Sequence, residues 1–266
     1  MYQKQLPQYI VELTKSFEEA FHWYSKNHYD KNDPLSQACL YSLQTKGKRL
    51  RPTLLLLFNQ WLSGDKINAM TPAIAIEMIH CYSLIHDDLP IIDNDDWRRG
   101  QPTVHKKFDE PTALLAGDAL LTDCFGLLTQ ENQQNHLNEK QKISMVTELT
   151  SACGGRGMVF GQMMDIYWTA RQDYTKKDLV SIHQNKTAKL IGASCALGAI
   201  SANAPVSHIQ SSRKIGQLIG LAFQMHDDLI DLQDHTGKSK GKDKKQDKLT
   251  YVKYMSTDSI EKEIMK

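Results

Sequence analysis

Two aspartate clusters have the spacing to do chemistry. Asp87, Asp88 and Asp93 form the pattern DDxxxxD, with Asp95 and Asp96 close behind, and Asp227, Asp228 and Asp231 form DDxxD. Grouped carboxylates suit a hard divalent cation, and Mg²⁺ is usually held by one or two of them together with phosphate oxygens and water. Asp227 and Asp231 are four residues apart, so in a helix they lie one above the other on one face. Two like charges there destabilise the helix unless a cation sits between them. The first cluster differs, because Asp87 and Asp93 are separated by about 600° of helical rotation, a net of about 240°. Pro90 disfavours helix at Leu89 and breaks the hydrogen-bond ladder. The chain must therefore leave the helix before Asp93 if both carboxylates are to serve one metal. Read singly, either cluster is also compatible with a helix end running into an acidic, solvated loop. Carboxylates are unfavourable at a helix C-terminus, however, and two such clusters, each after an apolar helix, argue for cation binding.

Basic residues lie near the first cluster in sequence. Lys46-Gly47-Lys48-Arg49-Leu50-Arg51 puts four cations in six residues, and Arg98-Arg99-Gly100 follows the aspartates. Arginine offers a planar fork that matches phosphate oxygens, and lysine a compact point charge. Metal-binding carboxylates beside arginine pairs suggest a diphosphate held from both sides; surface salt bridges among Arg98, Arg99 and the aspartates are the plainer alternative. Lys186-Thr187 opens a stretch of small residues, and Gln224 precedes Asp227 by three and shares its face. The glycines of Gly154-Gly155-Arg156-Gly157 and Gly161-Gln162 fit either close helix packing beside a ligand or a loop.

The elements that carry these residues read as helices. From Ile74 to Ile85 apolar side chains recur at three- and four-residue spacing, and Ile215, Leu218, Ile219, Ala222 and Phe223 make one stripe in the stretch from Ile209 to Leu232. No run alternates with period two. Breaks near Ser63-Gly64-Asp65, from Asn132 to Asn138 and from Asn203 to Pro205 read as interhelical loops. None is long enough for a domain linker, so the expectation is one all-α domain over residues 1–266. His86-Asp87-Asp88-Leu89 recurs as His226-Asp227-Asp228-Leu229, each ending an apolar stripe, which suggests two helices offering similar chemistry. The segment from Asp234 to Lys248 holds six lysines and two glycines and reads as a solvated loop.

Composition narrows the classes further. With 41% hydrophobic and 24% charged residues the chain is globular. A net charge of +1 gives no field for nucleic acid or an anionic membrane. The longest strictly apolar runs, such as Leu54 to Phe58, fall far short of the roughly 20 residues a spanning helix needs. The first residues carry no apolar signal region. The five cysteines are odd in number, form no CxxC pair and sit among apolar or small residues, which suits a reducing, cytoplasmic setting.

Taken in order, Gly47 to Pro52, Glu77 to Pro90 followed by Arg98 to Thr103, Gly161-Gln162, Lys186-Thr187 and Gln224 to Asp231 resemble the motifs of the trans-isoprenyl diphosphate synthases, and most the bacterial members that make farnesyl diphosphate. The resemblance spans roughly Lys46 to Val252. It implies a helical bundle with a deep central cavity, usually a homodimer, with the two aspartate motifs facing each other across the cavity mouth. It implies three Mg²⁺ ions on Asp87, Asp88, Asp93, Asp227 and Asp231. Lys48, Arg51, His80 and Arg99 would bind isopentenyl diphosphate. Arg98, Lys186, Lys238 and Lys248 would bind the allylic partner, dimethylallyl or geranyl diphosphate. Thr187 and Gln224 would lie near the developing allylic cation, and the lysine-rich segment would become a lid. No side chain is an evident base, and the departed diphosphate is the family's usual proton acceptor.

Tyr82 lies five residues before Asp87, about 7.5 Å down the helix, and Ser83 between them is small. An aromatic at that position resembles the bacterial C15 pattern, so Tyr82 is expected to be the floor that stops chain growth. A C10 or C20 product is the alternative. A class I terpene cyclase is disfavoured by Asp231 in the second motif and by Lys48, Arg51 and Arg99, which a cyclase would not need. A non-catalytic partner subunit is disfavoured by two intact aspartate motifs. Family members usually continue into further helix after Thr250-Tyr251, so Ser256 to Lys266 is expected to be a short final layer.

Overall fold

The computed structural model describes residues 2–131, 136–234 and 249–265, and of residues 2–5 and 231–234 the backbone alone. The helices run in the order α1 (Tyr2–His28), α2 (Pro34–Leu43), α3 (Leu50–Trp61), α4 (Lys66–Asp87), α5 (Val104–Lys107), α6 (Glu110–Thr129), α7 (Glu139–Cys153), α8 (Met158–Arg171), α9 (Lys176–His183), α10 (Lys189–Ser201), α11 (Val206–Asp234) and α12 (Thr257–Ile264). Between α4 and α5 a hairpin pairs β1 (Trp97–Arg98) with β2 (Gln101–Pro102), a detail within the expected all-α class. Starts are set by side-chain caps. Asp33, Asp65 and Asp109 accept from the N–H of Ser36, Ile67 and Thr112, and Thr175 and Asp178 form a reciprocal capping box.

The single domain expected from sequence is described as two compact units, Met1–Thr147 with Ala196–Ile209, and Glu148–Cys195 with Gln210–Lys266. In the first, α4 is buried almost all round and packs on α3 and α6, as an apolar helix without a polar face must. Its core includes Phe17, Phe21, Leu55, Ile76, Met78 and Leu120. Helix α6 is long and apolar enough to cross a membrane by length and composition. Here Ala113, Ala116, Leu120, Cys124 and Leu128 are buried and pack that face of the helix against α4.

In the second unit the expected apolar stripe of α11 is not the inward face. Ile215 and Leu218 are exposed at 38% and 59%, while Ser212, Gly216 and Gly220 are buried. A Cβ at Gly216 would come within 2.7 Å of Cys195 Sγ, and one at Gly220 within 2.6 Å of Ala188 Cα. Small residues lead inward because they let α11 and α10 approach backbone to backbone. In the same unit Tyr174, Leu179, Ile182, Leu249, Tyr251 and Ile260 form an apolar cluster, so the final segment packs as core.

Candidate active site

In the basic loop before α3 the four cations, alike in sequence, are used differently. Arg49 adopts a left-handed conformation (φ 47°) and is buried. Its guanidinium meets Glu77 at 2.7 Å and Glu18 at 2.8 Å, donates to the carbonyls of Leu43 and Thr45, and lies 5.0 Å from the Phe21 ring centroid. A left-handed residue turns its neighbours away from its own direction, so Lys48 is left exposed while Arg51 enters the first turn of α3. Gly47 leaves room for a second cation: a Cβ there would sit 2.6 Å from Arg99 Nη1. Arg51 Nε is buried without a hydrogen-bond partner among the described residues. Burial, then the charges of Arg51, Arg99, Arg49 and Arg98, hold the His80 imidazole well below its ordinary range, so it is neutral at pH 7. Lys48, Arg51, His80 and Arg99 were expected to bind one diphosphate; Arg51, His80 and Arg99 are near enough to perturb one another.

At the end of α4 the chain does leave the helix. Beyond Pro90 it curls back so that the Asp93 N–H donates to the Asp87 carbonyl at 3.0 Å and the Asp95 N–H to the Asp88 carbonyl at 3.2 Å. The loop thereby returns Asp93 to the level of Asp87. The hairpin turn at Arg99-Gly100 has φ of 53° and 80° at its two central residues, the geometry of a two-residue loop between twisted strands. Adjacent arginines therefore diverge. Arg98 donates to Asp88 Oδ1 through Nε (2.6 Å) and Nη2 (2.5 Å), whereas Arg99 reaches Gly47. Burial raises the Asp88 carboxyl and Arg98 opposes it. Tyr41 fixes the hairpin by donating to the Pro102 carbonyl at 2.7 Å. A cleft beside it is lined by Tyr41, Thr45, Leu84, Asp88, Arg98 and Arg99.

In the second unit Lys186 and Thr187 lie in one π-turn, Gln184–Ala188, between α9 and α10. Such turns are rare and often mark functional sites. Lys186 Nζ pairs with Asp165 of α8 at 2.6 Å, and Thr187 Oγ1 donates to Gln224 Oε1 at 3.2 Å. Gly161 and Gln162 lie in α8, while the preceding Gly154 to Gly157 form the turn between α7 and α8. Asp227 is half-buried on α11; Asp231 continues that helix, with its side chain outside the described residues. Lys238 and Lys248, and with them the expected lid, also lie outside the described residues.

Tyr82 is buried on α4 with its ring edge-on to His86 at 5.7 Å, and His86 Nε2 lies 3.0 Å from the Leu114 carbonyl of α6. Ser83 Oγ donates to the His80 carbonyl at 2.9 Å. Sequence reading missed the partners that hold these residues: Glu77, which anchors Arg49, and Asp165, which anchors Lys186. The second was nearer to hand, since Gln162 and Asp165 are three apart and share a helix face.

Among the described residues no group of three or more His, Cys, Asp or Glu side chains gathers to hold a metal. Oxygen donors in small number, beside cations that suit phosphate, fit Mg²⁺, which keeps water and phosphate among its ligands. Helical packing, two aspartate motifs and a group of crowded cations characterise the chain. A family model described as polyprenyl synthetase matches residues 32–266, and the chain belongs to that family. It is 43% identical over 255 residues to the farnesyl diphosphate synthase of Bacillus subtilis, a match covering 94% of this chain and 85% of that protein. It is 45% identical over 226 residues to geranylgeranyl pyrophosphate synthase 12 of Arabidopsis thaliana, covering 82% and 62%. The solved geranyltransferase of Helicobacter pylori complexed with magnesium and isoprenyl diphosphate aligns with a TM-score of 0.78 at 31% identity, covering 96% and 87%.

Proposed function

We propose that the chain is a Mg²⁺-dependent prenyltransferase that condenses isopentenyl diphosphate with dimethylallyl and then geranyl diphosphate to give farnesyl diphosphate. The observation that carries this is the cation group of the first unit. Arg51, His80 and Arg99 crowd the Gly47 loop, while the neighbouring Arg49 takes the nearby glutamates for itself. Such a group is suited to an anion, and a terpene cyclase has no need of it.

In this reading Lys48, Arg51 and Arg99 bind the diphosphate of isopentenyl diphosphate, and neutral His80 donates a hydrogen bond without adding a fourth charge. Asp87, Asp93, Asp227 and Asp231 would hold Mg²⁺; Asp88, expected with them, is taken up by Arg98. Bound Mg²⁺ supplies Lewis-acid stabilisation of the charge that develops on the departing allylic diphosphate. Arg98, held by Asp88, and Lys186, held by Asp165, would bind the allylic diphosphate together with Lys238 and Lys248. The allylic C–O bond ionises, the isopentenyl double bond attacks the cation, and a proton is lost to the departed diphosphate. The Thr187 and Gln224 oxygens stabilise the cation by their dipoles. A homodimer in the cytoplasm belongs to the same proposal; exposed Leu114 and Leu115 of α6, at 46% and 55%, are apolar surface a second copy would cover.

Incubation of the purified chain with Mg²⁺, isopentenyl diphosphate and dimethylallyl diphosphate, read by mass spectrometry, tests the proposal. Farnesyl diphosphate is expected; cyclic hydrocarbon or no product would reject it. Tyr82→Ala should shift the product to C20 or longer, and an unchanged C15 product would place the floor elsewhere.

A further inference from the structure

Asp228 stands next to a proposed metal ligand, yet its surroundings differ from those of Asp227. Its side chain is buried, with the residue 6% exposed, while Asp227 is half-buried. One oxygen, Oδ2, accepts the backbone N–H of Tyr251 at 2.8 Å, a contact that spans 23 residues of chain. The other, Oδ1, lies 3.5 Å from Gln224 Nε2, and the Oε1 of that same amide accepts from Thr187 Oγ1 at 3.2 Å. Tyr251 is itself fully buried, its ring 5.0 Å from that of His183 and packed in the cluster with Leu179, Ile182 and Ile260. Asp228 thus lies between a fixed point of the returning chain and the amide that orients Thr187.

We infer that Asp228 is a positioning residue that clamps Tyr251 to α11 and fixes the orientation of the Gln224 amide, and is not a metal ligand. The inference rests on the prenyltransferase reading for what Thr187 and Gln224 do, but the clamp stands on geometry alone. With Oδ2 on the buried Tyr251 N–H and Oδ1 turned to the Gln224 amide, both carboxylate oxygens already have protein partners with which a cation would have to compete. The amide has only one suitable orientation while Asp228 is ionised. A carboxylate can only accept, so it draws the Gln224 NH₂ toward itself and turns Oε1 to Thr187. The first motif repeats the pattern with different means, since Asp88 is also buried and is taken up by Arg98.

Four variants of the full chain test this: Asp227→Asn, Asp227→Ala, Asp228→Asn and Asp228→Ala. Without Mg²⁺ or substrate, Asp228→Ala should lower Tm by about 3–8 °C through the stranded Tyr251 N–H. Asp228→Asn should recover most of that, because an amide oxygen can take the same bond, and Asp227→Ala, at a half-buried position, should lower Tm less than Asp228→Ala does. Calorimetric titration of Mg²⁺ in the presence of inorganic pyrophosphate should give Asp228→Asn a half-saturation within about threefold of the parent and Asp227→Asn one raised about tenfold or more. In steady state Asp228→Asn should lose about tenfold in kcat, with both KM values within threefold, because its NH₂ reverses the Gln224 amide. Equal rises in the Mg²⁺ requirement for Asp227→Asn and Asp228→Asn, or an unchanged Tm in Asp228→Ala, would overturn the inference. Failure of the parent chain to make any prenyl product would count against the prenyltransferase reading alone, because the Tm series reports on the clamp without it.

Discussion

The sequence His-Asp-Asp-Leu ends α4 and recurs within α11, and the two copies are held in different ways. At residues 86–89 the histidine is fixed to α6 through the Leu114 carbonyl, Pro90 ends the helix, and the loop returns Asp93 by an N–H bond to the Asp87 carbonyl. At residues 226–229 the histidine is exposed and the helix continues to Asp234. The two spacings follow from this. An unbroken helix repeats a face every four residues, so DDxxD suffices; a helix stopped by proline needs the longer DDxxxxD to bring its third carboxylate back. In both copies the second aspartate is buried and engaged by protein, by a guanidinium in one and by a backbone N–H in the other. Identical tetrapeptides can thus give one half-buried and one buried carboxylate on unlike scaffolds.

The comparison can be broken most directly at the first aspartates. Asp87→Ala and Asp227→Ala should each lower product formation by about 10³-fold at fixed Mg²⁺; a loss in one alone would mean that the copies do not share a role. Next in size is the foundation of the first region. Arg49 and Glu77 have side chains only 2% exposed, so Glu77→Ala should cost about 3–5 kcal/mol, read from denaturant unfolding, and loosen the Gly47 loop. A cost below 1 kcal/mol would mean that Glu18 holds Arg49 unaided. Pro90→Ala sharpens the contrast in spacing. Helix should extend through Leu89, Asp93 should rotate away from Asp87, and activity should fall by up to about 10²-fold with a raised Mg²⁺ requirement.

A further contrast concerns the second region and pH. His183 is 5% exposed, packed on Tyr251, with Asp165 and Lys186 as its charged neighbours; burial lowers its pKa from 6.5 to about 4. In the unfolded chain the imidazole titrates near its ordinary value, so between pH 6.5 and 4 the unfolded state binds more protons. Stability contributed by neutral His183 is complete above pH 6.5 and falls as pH drops through that window, by about 3 kcal/mol in all. His183→Gln should remove about one proton from the acid dependence of unfolding; an unchanged slope would place the titration elsewhere.

Much of this was legible in sequence because it follows from period and spacing. The apolar period sets the helices, and the break at Pro90 follows from its ring and missing donor. What escaped was the sorting of like residues. Arg49 and Arg51 look equivalent until a left-handed backbone buries one against two glutamates, and Arg98 and Arg99 until a turn with two positive φ angles sends them apart. The stripe on α11 misled because large apolar residues dominate a periodicity count, while close helix contact is led by Gly216 and Gly220.

The most direct test of the central claim is stoichiometry. With geranyl and isopentenyl diphosphates and Mg²⁺, inorganic diphosphate release and C15 product should be measured in one reaction, beside the Asp87→Ala chain. One diphosphate released per farnesyl chain formed, with both signals lost together in the variant, is the predicted result. Diphosphate released without a C15 chain would contradict the account.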